Sequence, residues 1–267
     1  MVAPTELLAL ATAIALEAGD LVRRRRAEGV EVADRKSSIN DVVTFADRES
    51  EDLIRARIAE ARPDDAFLGE EGGGSGGTSG ITWVVDPIDG TVNYLYDIPF
   101  YAVSIAVVEG DPDPATWSAL AGVVVNPAIG EVYTAARGAG ARLGDRMLQL
   151  PPGPPLDQAL VATGFSYDAV RRGDQATRFA GMMPKVRDLR RLGAASLDLC
   201  AVASGRFDAY FERGLKPWDH GAGVLIAAEA GATVTGLEGR RAGDRFTLAA
   251  GPGLAADLER AILEAGI

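Results

Sequence analysis

Residues 83–94 read WVVDPIDGTVNY, and here two carboxylates, Asp86 and Asp89, a rigid Pro87 between them, and then Gly90 and Thr91 fall within six residues. A β-type run over 81–85 leads into the first acid. Same-face neighbours on a strand lie two apart, so acids three apart with a proline between them predict a turn that aims both side chains at one cation. Gly90 and Thr91 add a small, flexible position and a hydroxyl where a helix can begin. Exposed backbone N–H groups at such a start accept phosphate oxygens. Oxygen donors for a hard cation beside a phosphate cradle point to metal-assisted hydrolysis of a phosphate ester.

Other acids must be brought to this stretch. A short buried strand over 66–69 would deliver Glu70 and Glu71 into GGGSGGTSG (72–80), which reads as a mobile loop. No Gly-Lys-Ser/Thr follows it, so it is not a P-loop. Asp47 stands near the start of a helical segment with Leu53, Ile54 and Ile58 on one side. An acid there can cap the first turn, or, next to the 86–91 cluster, act as the base for an attacking water. Asp219 has a similar double reading. Pro217 suits the opening of a helix and Gly231 its end, so Asp219 lies in a first turn, where the dipole stabilises an acid whether or not it binds metal.

The elements that must position these residues alternate between the two periods. Thr5 reads as an N-cap, with Leu7, Ala11, Ile14, Ala18 and Leu21 on one helical face and four arginines, 23–26, complementing the dipole at its end. Strands are expected over 101–109 and 116–126, with a hairpin of 131–135 and 141–143 around Gly138 and Gly140, which makes an antiparallel sheet. The proline-rich run 151–155 marks a connection between an N-terminal half, 1–150, with most of the motif residues, and a C-terminal half, 156–267, together one compact unit. In the second half a strand is expected over 160–165, helices around 175–183 and over 194–204, and a strand over 207–212.

Composition limits the function classes. The chain has 267 residues, and 27 Lys plus Arg against 38 Asp plus Glu give a net charge of −11, which argues against nucleic acid as a partner. A small phosphate ester would also be repelled unless bound divalent cations reverse the local sign. The single cysteine, Cys200, sits in an apolar helical stretch and excludes an internal disulfide and a cysteine-cluster metal site. The single histidine, His220, makes a histidine-rich zinc site or a Ser-His-Asp triad hard to build, and reads as packed or surface. Glu6 and Glu17 interrupt the N-terminal apolar run, and no uncharged stretch reaches spanning length, so a cytoplasmic protein with no membrane partner is expected.

Taken in order and at these separations, Glu70-Glu71, the Asp86-Pro-Ile-Asp-Gly-Thr91 run and Trp218-Asp219 resemble the inositol monophosphatase family, within the lithium-sensitive, magnesium-dependent phosphatases. The likeness extends from 36–47 to Gly231. It implies a layered αβαβα sandwich of mixed α/β (α+β) class, commonly a homodimer, hydrolysing inositol monophosphate with two or three Mg2+ ions. By the same resemblance Glu70, Asp86 and the Ile88 carbonyl look like ligands of a first ion, and Asp86, Asp89 and Asp219 like ligands of a second, with Glu70 reaching a third through water. Asp47 and Thr91 look like the residues that orient the attacking water and accept its proton, with Glu70 part of the catalytic set. The substrate would meet Glu70, Ile88, Asp89, Gly90 and Thr91 at its phosphate, and Gly193, Ala194, Ala195, Glu212 and Asp219 around its hydroxylated leaving group. Histidinol phosphate, fructose 1,6-bisphosphate, adenosine 3′,5′-bisphosphate and NADP are the alternative substrates; a non-catalytic regulatory protein is the alternative class. Val92 and Asp97 depart from the residues common in the family, and the loop at 72–80 is unusually glycine-rich.

Overall fold

Residues 2–35 and 42–267 are described in a computed structural model; the 36–41 part of the segment leading to Asp47 lies outside the described residues. The first helix, α1 (Pro4–Glu28), begins two residues earlier than the pattern predicts, with Pro4 in its first turn and Ala3 rather than Thr5 at the cap. Proline tolerates that position because its missing N–H has no intrahelical partner there anyway. β1 (Val32–Arg35) and β2 (Val42–Thr44) form a small antiparallel ribbon, and α2 (Phe45–Ala61) follows directly.

The larger sheet comes next: β3 (Ala66–Gly69), β4 (Gly73–Ser75), β5 (Ile81–Asp89), the one-turn helix α3 (Thr91–Leu95), β6 (Ala102–Glu109), β7 (Ser118–Asn126), β8 (Glu131–Ala136), β9 (Gly140–Leu143) and β10 (Arg146–Leu148). Its order is β10-β9-β8-β7-β6-β5-β3-β4, antiparallel except where β3 runs parallel to β5. After the proline-rich run the chain adds β11 (Leu160–Thr163), α4 (Ala169–Phe179), β12 (Asp188–Arg190), α5 (Ala195–Ala203), β13 (Ala209–Glu212), α6 (Pro217–Glu229), β14 (Thr233–Thr235), β15 (Thr247–Ala250) and α7 (Ala255–Ala265). The second sheet has the order β12-β11-β13-β15-β14.

Period-two alternation decides how these pieces stack. On β5, Trp83 and Val85 face a core with Leu7, Ile14 and Val22 of α1 and Ile54 and Ile58 of α2, whereas Val84 faces the opposite core with Leu199 of α5 and Ile226 of α6. On β13, Tyr210 joins that middle core, while Phe211 faces outward to Phe179 of α4 and Leu258 of α7. The result is α1/α2, the large sheet, α5/α6, the small sheet and α4/α7: an αβαβα sandwich. The middle helices are largely apolar because both faces are covered; every residue of α5 is buried, including Cys200.

Four sequence expectations need correction. The glycine-rich stretch 72–80 is anchored: Gly73–Ser75 pairs with β3, and the Thr78 and Ser79 amides donate to the Asp64 carbonyl at 2.8 and 3.1 Å. The helix expected around 175–183 runs instead over Ala169–Phe179, because Asp168 caps it by accepting from the Arg171 amide at 2.8 Å. β5 does not stop at Val85 but continues through Asp89, and the strand expected over 160–165 ends at Thr163. Beyond Gly231, where the pattern predicts nothing, β14, β15 and α7 complete the small sheet and its outer layer.

Candidate active site

The two acids of the DPID run reach one cavity through a bulge rather than a turn. Asp86 pairs with Ser104 of β6 and Asp89 with Ala102, so three steps on β5 oppose two on its partner. One extra residue shifts the side-chain phase by one, which places acids three apart on the same face. The Ile88 amide donates to Asp86 Oδ1 at 3.1 Å and closes the irregular stretch. Gly90 then caps α3 with φ of 89°, and a Cβ there would meet the Phe100 carbonyl oxygen at 3.0 Å and the Gly193 carbonyl oxygen at 3.2 Å. Only glycine fits, because the left-handed conformation and the close backbone approach coincide.

Elements distant in sequence complete the cavity, which encloses about 110 Å³ and is lined by Glu70, Asp86, Ile88, Asp89, Gly90, Thr91, Gly193, Ala194, Ala195, Glu212 and Asp219, with Arg191 beside them. Every sequence-derived site residue except Asp47 is therefore in its wall. Asp47 lies directly behind it: the Thr91 hydroxyl stands 3.1 Å from Asp47 Oδ1 and 3.1 Å from the Ile88 carbonyl. Thr44 orients the other Asp47 oxygen through its amide at 2.8 Å and a short hydroxyl contact, the capping box of α2. The cap and the site contact are thus the same side chain. Asp219 likewise accepts the Lys216 amide at 2.7 Å as first-turn acid of α6 while facing the cavity.

Residues absent from the sequence reading hold the constellation in place. Ser196 donates both its amide, at 2.7 Å, and its hydroxyl, at 2.6 Å, to Asp89 Oδ2, joining the α5 start to the bulge. Asn93 donates to the carbonyls of Phe100 and Leu192, each at 2.7 Å, and so fixes the backbone before Gly193. Tyr210 donates to Glu212 Oε2 at 2.7 Å. The Thr-x-x-Asp spacing of Thr44 and Asp47 is the one such signal legible in sequence; the others need the fold. Of the cations near Glu212 in sequence, Arg206 pairs with Glu131 and Arg213 donates to the Ile267 carbonyl at 2.7 Å, while Lys216 lines a wider groove opening off the cavity. His220 is buried, packed near Trp117, and burial lowers its pKa to about 4, so it is neutral at pH 7.

Electrostatically the cavity is dominated by its acids: Arg191 in the wall pulls Glu212 down, but burial and like charge prevail. Burial pushes Asp86 well above the usual carboxylate range, and the charges of Glu70, Asp89 and Asp219 push it further. Asp219 is raised by burial, Glu70 and Asp89. Asp89 is raised to about 6 by burial, with the Ser196 hydrogen bonds opposing, and burial raises Asp47 and Glu212 each to about 7. Among the described residues no three acid, histidine or cysteine side chains form a ready-made metal cage. Magnesium keeps several waters and takes only one or two carboxylates directly, so an all-oxygen, mutually repelling wall fits it better than a closed cage would.

Residues 3–266 match the model of the inositol monophosphatase family. The chain belongs to this family. An inositol-1-monophosphatase of Mycobacterium bovis is 45% identical over 97% of this chain and 94% of its own length. A Vibrio cholerae protein named Nus factor SuhB is 37% identical over 87% of this chain and 86% of its own. The crystal structure of the extragenic suppressor protein suhB from Bartonella henselae superposes with a TM-score of 0.87 at 35% identity, covering 98% of this chain and all of that one. Membership makes this inositol monophosphatase family chain a metal-dependent phosphatase acting on a small phosphate ester. Among the described residues, no helix is long and apolar enough to cross a membrane.

Proposed function

We propose that the protein is a magnesium-dependent phosphomonoesterase that hydrolyses inositol monophosphate to inositol and phosphate by direct attack of water. The observation that carries this reading is the convergence of Glu70, Asp86, Asp89 and Asp219 on one cavity with the Thr91–Asp47 pair at its edge. Glu70, Asp86, Asp219, Asp89 and the Ile88 carbonyl would hold the two or three ions. Magnesium there supplies the Lewis acid that makes a water acidic near neutral pH and offsets the charge of the phosphate.

The chain's own residues do the rest. With its hydrogen directed to Asp47 Oδ1, the Thr91 hydroxyl accepts a hydrogen bond from the attacking water and fixes its position. Asp47, held by Thr44 and raised to about 7, is a base matched to neutral pH and takes the proton through that hydroxyl. Backbone N–H groups at Gly90 and Thr91 receive phosphate oxygens. Gly193, Ala194, Ala195 and Glu212 meet the leaving group, where the Glu212 carboxyl accepts hydroxyl hydrogen bonds and Tyr210 keeps it in place.

Phosphate release measured with and without Mg2+ from inositol 1-phosphate, histidinol phosphate, fructose 1,6-bisphosphate, adenosine 3′,5′-bisphosphate and NADP tests this directly. Inositol 1-phosphate is expected to lead in kcat/KM; a different leader keeps the reaction and replaces the substrate. A second reading, a regulatory protein acting through a macromolecular partner, draws on the name of the Vibrio cholerae relative. Absence of turnover on the whole panel would put it first.

A further inference from the structure

One face of α2 presents Asp47, Ser50 and Glu51 to three separate segments of the site. Asp47 meets Thr91, and Ser50 donates to the Pro87 carbonyl at 3.3 Å. Glu51, only 2% exposed, accepts the Glu71 amide on Oε2 at 2.8 Å and the Gly72 amide on Oε1 at 2.7 Å. Its charge is met by Arg55, at 3.0 Å from Oε1, and Arg55 in turn lies 4.0 Å over the Phe67 ring of β3. The glycines on either side of the acid pair are shaped by this carboxylate. A Cβ at Gly69 would stand 2.4 Å from Glu51 Oε2, and one at Gly72 would stand 2.7 Å from Oε1.

A buried carboxylate that spends its oxygens on two successive amides is a clamp on the backbone it grips, and that backbone carries Glu70. On the remaining side the Glu70 amide donates to the Val85 carbonyl at 3.2 Å, one residue before Asp86. Resting on the assignment of Glu70 as a cation ligand, we propose that Glu51 is a positioning residue for Glu70: through the 71–72 amides it fixes where the Glu70 carboxylate stands relative to Asp86, and so sets the affinity of the first cation position. Glu51 itself touches neither substrate nor cation. Glutamine at 51 would present an N–H₂ group to one of the two amides, a donor facing a donor, and would remove the charge that faces Arg55, leaving it the Gly73 carbonyl at 3.3 Å.

Titrate Mn2+ into the protein by electron paramagnetic resonance, and Mg2+ by activity, for the wild type, Glu51→Gln, Gly72→Ala and Glu70→Gln. The expected result for Glu51→Gln is a loss of Mn2+ affinity of about tenfold or more with a matching rise in the Mg2+ needed for half-maximal rate. At saturating Mg2+, kcat should return to within about threefold, since only positioning has changed. Gly72→Ala keeps the Glu51 charge but displaces its carboxylate, so it decides the question if Glu51→Gln fails to fold by near-ultraviolet circular dichroism; it should weaken Mn2+ likewise. Unchanged Mn2+ affinity in a folded Glu51→Gln or in Gly72→Ala overturns the proposal. Unchanged affinity in Glu70→Gln instead overturns the ligand assignment beneath it.

Discussion

Asp65, in the turn before β3, and Asp86, on β5, are both buried carboxylates, yet they titrate in opposite directions. Burial raises Asp65, but Arg62 at 2.8 Å, the Ser79 hydroxyl and the Trp83 indole more than offset it and hold it below the usual range. Asp86 also feels burial first, then the negative charges of Glu70, Asp89 and Asp219, with no guanidinium to answer them. The chain therefore answers an acid with a guanidinium where its task is to tie the 62–83 corner together, and gathers like charges where a cation is proposed to bind. The net charge of −11 alone would not distinguish the two.

The largest effect should come from Asp86→Asn, which removes the carboxylate proposed to serve both ion positions: kcat should fall about a thousandfold or more, several kcal/mol of transition-state stabilisation. In metal-free protein at pH 7.5 the same change should raise Tm, because it relieves repulsion. A lowered Tm there would break the contrast with Asp65. Asp65→Asn should do the reverse, costing about 1–2 kcal/mol of stability by weakening the hydrogen bonds that Arg62, the Ser79 hydroxyl and the Trp83 indole make to the carboxylate, with kcat per folded molecule unchanged. Urea unfolding followed by a rate assay on the folded fraction reads both.

The pH dependence of stability sharpens the same comparison. Folded-state values of Asp47, Asp89 and Glu212 lie above their unfolded values, so their stabilising contribution is full at about pH 4 and is lost as pH rises through about 6 to 7; Asp86 and Asp219, also raised, act in the same direction. Asp65, lowered, contributes above its unfolded value and loses that contribution only in more acid solution. Metal-free Tm should therefore fall between about pH 4.5 and 7.5, and Mg2+ should restore it at the upper end and not at the lower. A flat Tm across this window, by scanning calorimetry, would count against the like-charged cluster.

Glu212→Gln should lower kcat/KM for inositol 1-phosphate by about 10- to 100-fold, the worth of hydrogen bonds to a charged acceptor. For p-nitrophenyl phosphate, whose leaving group has no matching hydroxyls, it should change little; equal losses on both would remove Glu212 from substrate selection. The smallest effect belongs to solvent-exposed pairs such as Arg57–Glu17, at 2.7 Å with both side chains more than 40% exposed, where Arg57→Met should leave the urea midpoint nearly unchanged.

Much of the site was legible because its chemistry is local. Asp86, Asp89, Gly90 and Thr91 are a single run, and residue types at that spacing restrict the reading whatever the surrounding fold. Glu51, Ser196, Asn93 and Tyr210 were not legible. In sequence each is an ordinary helix, loop or strand residue, and its role exists only against a partner 20, 107, 99 or 2 positions away. Tyr210 shows that even nearness does not help, since its hydroxyl reaches Glu212 only because a strand places alternate residues on one face.

By itself the sequence determined the donor chemistry, the family and the alternating periods that make layers inevitable, since apolar faces at spacings of two and of three to four must be buried against one another. The tertiary structure alone decided that a bulge, not a turn, brings Asp86 and Asp89 together, that the glycine-rich stretch is pinned, and that acids from both halves meet in one cavity. Register and long-range electrostatics are sums over contacts between distant segments, and no local pattern encodes a sum of that kind.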